Sequence, residues 1–286
     1  MHTAHTASPA RPSTETRHVF RHVAASKILP SSLVRHDRSQ AIAAIVSHAG
    51  VGLSMRVLAL VADAGLVLFA IDDLLDDGAL TLDDAALRIE QYTAVARGEF
   101  CPEVAFDPIA LAITDLRRRL AMTDLRGDLL AAWADAMGRM LAGMGAELPG
   151  ACDPAADLEA YLATARDSIG VEWITLTAWI ATSASATRVQ LPALRRAERD
   201  LSTAVRLAND LRTEDRERRE GRVNAVTLVG DDGRADLRER CDLALADGRE
   251  TLRRGGVEGT DQGRFLERFA AAIVAMYETR DFAQAA

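Results

Sequence analysis

Four carboxylates close one apolar run, Phe69-Ala70-Ile71-Asp72-Asp73-Leu74-Leu75-Asp76-Asp77-Gly78. Asp72 and Asp76 are four residues apart, as are Asp73 and Asp77, so on a helix each pair stacks on one face, a turn apart. Like charges at that spacing repel, and the macrodipole disfavours negative charge near a helix C-terminus. Gly78 would supply that terminus. The pattern costs stability unless something cationic sits between the carboxylates. Hard divalent cations take oxygen ligands, and Mg²⁺ typically uses one or two carboxylates together with substrate phosphates. The alternative is an acidic helix end that only water solvates.

A second polar element is Asn209-Asp210-Leu211-Arg212-Thr213-Glu214-Asp215-Arg216-Glu217. Asn209, Thr213 and Glu217 recur every four residues and share one helical face, drifting by about 40° per step. An amide oxygen, a hydroxyl and a carboxylate are three hard ligands for one cation. Arg216 falls on the same stripe and could grip a phosphate with its forked donors. The apolar lead-in of Val205, Leu207 and Ala208 argues that part of this helix is buried. Between the two elements lies Arg166-Asp167-Ser168-Ile169-Gly170. Glycine inside a helical pattern is unfavourable by about 1 kcal/mol relative to alanine, so Gly170 marks a break or a close backbone approach. Read alone, this segment is a surface arginine and a packing glycine.

The surrounding chain limits what these groups can do. A net charge of −8 excludes a general nucleic-acid binder or a binder of anionic membranes. An acidic protein that binds an anion needs metal ions or local arginines to do so. Cys101, Cys152 and Cys241 match no zinc or redox spacing. All six histidines lie at or before His48, which removes histidine triads and zinc-protease sites from the rest of the chain. His18 and His22 read as surface residues. No signal peptide is evident in the polar start, no run reads as a membrane span, and the expected setting is cytoplasmic.

The elements that must carry the chemistry are helices. Hydrophobic residues make up 49% of the chain and aromatics only 5%, Ala, Leu and Arg dominate, and no strand alternation or solenoid repeat is visible. Residues 1–25, rich in Ser, Thr, Pro and His, read as a flexible N-terminal segment. Residues 26–286 read as one all-α domain of roughly ten helices, near 41–48, 53–76, 82–95, 108–121, 124–144, 154–185, 191–218, 223–230, 234–254 and 261–282.

Taken together, the three segments resemble the class I terpene synthases. DDLLD at Asp72–Asp76 is similar to that family's aspartate-rich motif, and NDLRTEDRE at Asn209–Glu217 to its second metal motif, with a basic residue before the glutamate. RDSIG is similar to its diphosphate-sensing arginine and, four residues later, its effector glycine. The resemblance implies a single-domain helical bundle around a central cavity and loss of diphosphate from an allylic carbon. It also implies three Mg²⁺ ions held by Asp72, Asp76, Asn209, Thr213 and Glu217, with Asp73 and Asp77 orienting them. Arg166 and Gly170 would trigger ionisation, and Arg166 and Arg216 would bind diphosphate. Phe69, Trp173 and Trp179 are the aromatic candidates for the carbocation, with Trp133, Met137, Met140 and Met144 on another helix; for the aromatics other than Phe69, core packing is the favoured alternative.

The family's C-terminal Arg-Tyr pair is missing in its usual form, leaving Tyr277 and Arg280 as candidates. Ile169 replaces an aspartate common in bacterial sesquiterpene cyclases. With the short chain, this points to a diterpene synthase acting on geranylgeranyl or copalyl-type diphosphate. The expected partners are the prenyl diphosphate, a second copy of the chain in a homodimer, and a separate class II cyclase that supplies substrate; nucleic acid and stable membrane insertion are not expected. The alternatives are a sesquiterpene synthase on farnesyl diphosphate, a trans-prenyltransferase, and a non-enzymatic helical interaction protein.

Overall fold

A computed structural model describes residues 14–76, 78–124, 126–151, 157–280 and 282, leaving aside the side chains of residues 15 and 231. Asp77 and Cys152 lie outside the described residues. Every regular element among them is helical: α1 (Thr14–Ala25), α2 (His36–Ala49), α3 (Met55–Asp76), α4 (Leu82–Arg97), α5 (Pro108–Ala121), α6 (Asp128–Ala146), α7 (Leu158–Ser168), α8 (Val171–Glu220), α9 (Ala225–Val229), α10 (Arg234–Arg254) and α11 (Asp261–Thr279). Side-chain caps set several starts. Thr81, Asp107, Asp157, Asn224 and Thr260 each accept a hydrogen bond from a backbone N–H of the first turn, which satisfies donors that a helix leaves orphaned. Pro108 follows its cap, where a missing N–H costs nothing.

α8 carries the second polar element and departs most from expectation. The break foreseen at Gly170 is present: its φ is +73°, and a Cβ there would stand 2.2 Å from Leu68 Cδ1, so only glycine fits. α6 approaches the same break closely, since a Cβ on Gly143 would lie 2.9 Å from the backbone nitrogen of Ser168. The expected gap at 186–190 is replaced by a kink at Ser183, where φ is −165° and ψ 103°. The Ser183 hydroxyl accepts from the Ala186 N–H at 3.3 Å and so restarts the helix, and Pro192 is accommodated beyond it.

The N-terminal expectation needs correction. Residues 14–25 are not a loose segment but form α1, packed on α2 and α3. Val19 and Val23, four apart, are buried. His22 is not a plain surface residue: its Nε2 lies 2.9 Å from Asp63 Oδ1. Asp63 also accepts from Ser26 Oγ and from Arg119, so this buried carboxylate on α3 is fully paired. His18 is exposed.

The core is filled by Trp133, Trp173 and Trp179, all fully buried. The Trp133 and Trp173 rings pack 5.5 Å apart. Trp133 Nε1 donates to Thr177 Oγ1, and Trp179 Nε1 to the Gln262 carbonyl.

Glu198, buried in α8, accepts from Ser202 Oγ. Burial, helped by the nearby Glu172 charge, pushes its carboxyl up to about 8 from an ordinary 4.5. The folded state therefore keeps a proton that the unfolded state gives up, and stability must fall as pH rises from about 5 to about 8. Glu198→Gln removes this contribution. Relative to the variant, the parent should lose up to about 1.4 kcal/mol of stability per pH unit in that window. Urea unfolding at pH 5, 6.5 and 8 reads the difference, and parallel pH profiles would refute it.

Candidate active site

α3 builds the first wall of a cavity of about 690 Å³. Val61, Gly65, Leu68, Asp72 and Asp76 all line it. Their spacing of three or four keeps them on one helical stripe, which is apolar for most of its length and ends in carboxylates. Val205, Asn209, Arg216 and Glu220 form the matching stripe of α8, with Glu217 beside it. α11 contributes Phe269, Ile273 and Tyr277, again at spacings of four, and α2 contributes Arg38, Ile42 and Ile45. The result is one hollow with an apolar floor and a charged rim. Asp72 and Asn209 face the same space, as the expectation that their two segments form one site requires.

The rim is densely paired. Arg38 NH1 donates to Asp72 Oδ2 at 2.8 Å, and its NH2 lies 3.1 Å from Asp73 Oδ1. Its guanidinium carbon stands 4.7 Å from the centre of the Phe69 ring, a cation–π arrangement. Phe282 packs on the same ring, 4.6 Å between centroids. Arg222, just after α8, donates to Asp76 Oδ1 at 2.7 Å. Desolvation at the rim and the Asp72 charge push the Asp76 carboxyl up to about 6, against the pull of Arg222. Burial likewise raises Asp73, with Arg38 opposing.

Deeper in, Arg206 NH1 reaches both Glu147 oxygens at 3.0 and 2.9 Å, and its NH2 donates to Tyr161 Oη at 2.6 Å. Ser168 Oγ donates to Glu147 Oε1 at 2.6 Å. Glu217 Oε2 accepts from Asn224 Nδ2 at 2.7 Å. These groups tie the break between α7 and α8 to the polar face of α8.

Not every expected residue reaches the cavity. Asp72, Asp76, Asn209, Glu217, Arg216, Phe69 and Tyr277 line it, whereas Thr213, Arg166, Gly170, Trp173, Trp179 and Arg280 do not. Thr213 is buried with its hydroxyl donating to the Asn209 carbonyl at 2.8 Å, the usual way a mid-helix threonine satisfies itself. Arg166 lies with its Nε 3.8 Å from Asp167 Oδ1, while its neighbours Ser168 and Ile169 face the hollow. Trp173 and Trp179 are core residues because their indole rings fill the gaps between α8, α6 and α11. Of the α6 candidates only Met144 lines the cavity. Arg280 is exposed beyond α11.

Sequence reasoning missed Arg38, Arg206 and Arg222. Arg38 did leave a signal, since it lies in phase with Ile42, Ile45 and Ala49 on the buried stripe of α2. A lone arginine on an apolar face needs an anion.

The donors at the rim are carboxylate and amide oxygens, which suit a hard divalent cation. Among the described residues no three His, Cys, Asp or Glu side chains converge as a ready-made cage. Buried Nε atoms of Arg38, Arg206 and Arg222 have no hydrogen-bond partner, and all three residues line the cavity. Orphaned cationic donors beside oxygen ligands fit a metal-bridged anion. No helix among the described residues is long and apolar enough to cross a membrane.

Comparisons with known proteins agree. The family described as "Terpene synthase family 2, C-terminal metal binding" matches residues 63–254. No curated protein sequence matches the chain. Among solved structures, a linalool/nerolidol synthase from Streptomyces clavuligerus, in complex with 2-fluorogeranyl diphosphate, is 20% identical, with 95% of this chain and 97% of that one covered and a TM-score of 0.69. Germacradien-4-ol synthase from Streptomyces citricolor is 22% identical over 93% of each chain, with a TM-score of 0.65. Abietadiene synthase from Abies grandis is 17% identical over 93% of this chain and 37% of its own, with a TM-score of 0.66. With the family's metal-binding region matched across α3 to α10, the chain belongs to terpene synthase family 2 and is a class I terpene synthase, an enzyme acting on prenyl diphosphates.

Proposed function

We propose that the enzyme is a cyclase that ionises a C20 prenyl diphosphate, geranylgeranyl or copalyl-type, and rearranges the resulting carbocation. The observation that carries this reading is the single hollow whose rim joins Asp72 and Asp76 to Asn209 and Glu217 while its floor is apolar. Its volume is within the ordinary range for ligand pockets, about 300–1,000 Å³.

When bound, Mg²⁺ supplies charge stabilisation for the departing diphosphate. Asp72 and Asp76 would hold two ions and Asn209, Thr213 and Glu217 the third, with the Thr213 hydroxyl turning away from the Asn209 carbonyl to do so. Asp73 and Asp77 would orient the aspartate ligands. Arg216 and Tyr277, which line the rim, would donate to diphosphate oxygens. Arg166 would have to swing inward to join them. Gly170 would transmit that movement through the break whose neighbours Ser168 and Ile169 face the floor.

Ile42, Ile45, Leu68, Ile174 and Val205 keep water from the cation. Phe269 offers an aromatic face to its charge, and Phe69 would do so once Arg38 moves off its ring. No histidine lines the hollow among the described residues, and the released diphosphate can accept the final proton.

The C20 preference rests on Ile169 and the scarcity of aromatics. Geranylgeranyl, copalyl-type and farnesyl diphosphate, each offered to purified enzyme with Mg²⁺ and profiled for products, test it. Cyclic C20 hydrocarbon or alcohol should exceed C15 product at least about tenfold in kcat/KM, which is about 1.4 kcal/mol of discrimination. A C15 product alone would overturn the chain-length assignment and leave a sesquiterpene synthase. Copalyl-type turnover would place a class II cyclase upstream.

A further inference from the structure

Asp72, Asp73 and Asp76 crowd three negative charges into the last turn of α3, and two buried or half-buried guanidiniums from distant parts of the chain hold them, with the more exposed Arg35 NH1 a further 3.8 Å from Asp73 Oδ1. Arg38 reaches from α2, where it is only 8% exposed, and directs NH1 to Asp72 and NH2 to Asp73. Arg222 reaches from the end of α8 and directs NH2 to Asp76. We propose that Arg38 and Arg222 are internal counter-cations of the metal-free enzyme: they occupy the metal-ligand carboxylates at rest and pass to the diphosphate when metal displaces them. The proposal rests on the functional reading in which Asp72 and Asp76 hold metal.

Three observations carry it. One oxygen of each aspartate is already engaged, and no three acidic side chains among the described residues stand ready as a cage. Each arginine retains a buried Nε without a hydrogen-bond partner. A guanidinium has five donors, and even Glu220, whose Oε2 stands 3.3 Å from the Arg222 Nε, leaves that donor unsatisfied; a polyanion in the hollow would take it. The two arginines also flank the α3 terminus from different elements, so Asp72 and Asp76 are both released only when both arginines find another anion.

The consequence is a coupling. A metal ion arriving alone must draw a buried arginine off one of its carboxylate partners with nothing to replace it, which is unfavourable. A metal ion arriving with diphosphate exchanges partners instead: carboxylate to metal, guanidinium to phosphate oxygen. Metal and diphosphate should therefore strengthen each other's binding by the same factor.

The test is Mn²⁺ binding, read from the electron paramagnetic resonance signal of free Mn²⁺, with and without inorganic pyrophosphate, each titration corrected by the same one without protein. In the parent enzyme, pyrophosphate should tighten protein-bound Mn²⁺ at least about fivefold. Arg38→Gln should bind Mn²⁺ alone at least about threefold more tightly than the parent and show a smaller pyrophosphate enhancement. Arg38→Lys, which keeps the charge, should stay near the parent. Should Arg38→Gln fail to fold, Arg222→Gln, at a less buried position, carries the same expectation. Unchanged or weaker binding of Mn²⁺ alone in a folded glutamine variant overturns the proposal. Asp76→Asn separates the two layers: if it binds Mn²⁺ with pyrophosphate as the parent does, the metal-ligand assignment itself is wrong. If it loses Mn²⁺ while Arg38→Gln behaves as the parent, only the counter-cation role is lost.

Discussion

Asp72→Ala will lose at least about a thousandfold in kcat/KM while keeping its helical circular dichroism. The leaving group gathers negative charge, and deleting a single preorganised stabiliser of such charge costs about 10²–10³ in rate. A metal ligand carries more than one hydrogen bond does. The fold survives because Asp72 is half-buried on the rim, outside the core, and because Arg38 keeps Asp73 as its partner at 3.1 Å. The last turn of α3 even loses one of its repelling charges. Product formation by gas chromatography and far-ultraviolet dichroism measure the two halves. Parent-level product from the variant would refute the metal role of Asp72.

Glu217→Ala has the second largest expected effect. Half-maximal turnover should need at least about tenfold more Mg²⁺, a loss of about 1.4 kcal/mol in metal binding. Outright inactivity would be the extreme of the same effect. The structure indicates why this is separable from unfolding. Glu217 accepts from Asn224 Nδ2, but that amide also donates to the Asp210 carbonyl at 3.0 Å. Asn224 Oδ1 still accepts from the Val226 N–H at 2.8 Å, so the cap of α9 remains. An unchanged Mg²⁺ titration would remove Glu217 from the ligand set and leave it as a support for Asn224.

Much of this was legible in the sequence because periodicity reports which side chains share a face. The pair Asp72, Asp76 and the pair Asn209, Glu217 were readable at spacings of four and eight, and each does face the hollow. The helix starts near 82 and 108 were legible as well, and Thr81 and Asp107 cap them. Periodicity gives no neighbour, however. Arg38 meets Asp72 across 34 residues, and Arg222 meets Asp76 across 146. The repulsion among the aspartates announced that some cation had to be there, and the lone Arg38 on an apolar stripe that some anion did, but neither named its partner.

The aromatics show the same limit. Trp173 and Trp179 follow Gly170 on α8, but the face that carries them turns toward α6 and α11, while Ile174, between them, turns inward. Arg166 and Thr213 illustrate a further limit. A motif specifies residue types, whereas the rotamer follows from local partners, here Asp167 and the Asn209 carbonyl. The N-terminal helix α1 was hidden by polar composition, since two valines and a histidine–aspartate contact suffice to dock it.

The most direct test of the central claim is anomalous diffraction from crystals grown with Mn²⁺ and inorganic pyrophosphate. Peaks should appear in one hollow, beside Asp72 and Asp76 on one side and beside Asn209 and Glu217 on the other, with the diphosphate between them. Manganese bound away from α3 and α8, or at one of the two helices with no diphosphate bridging to the other, would contradict the account.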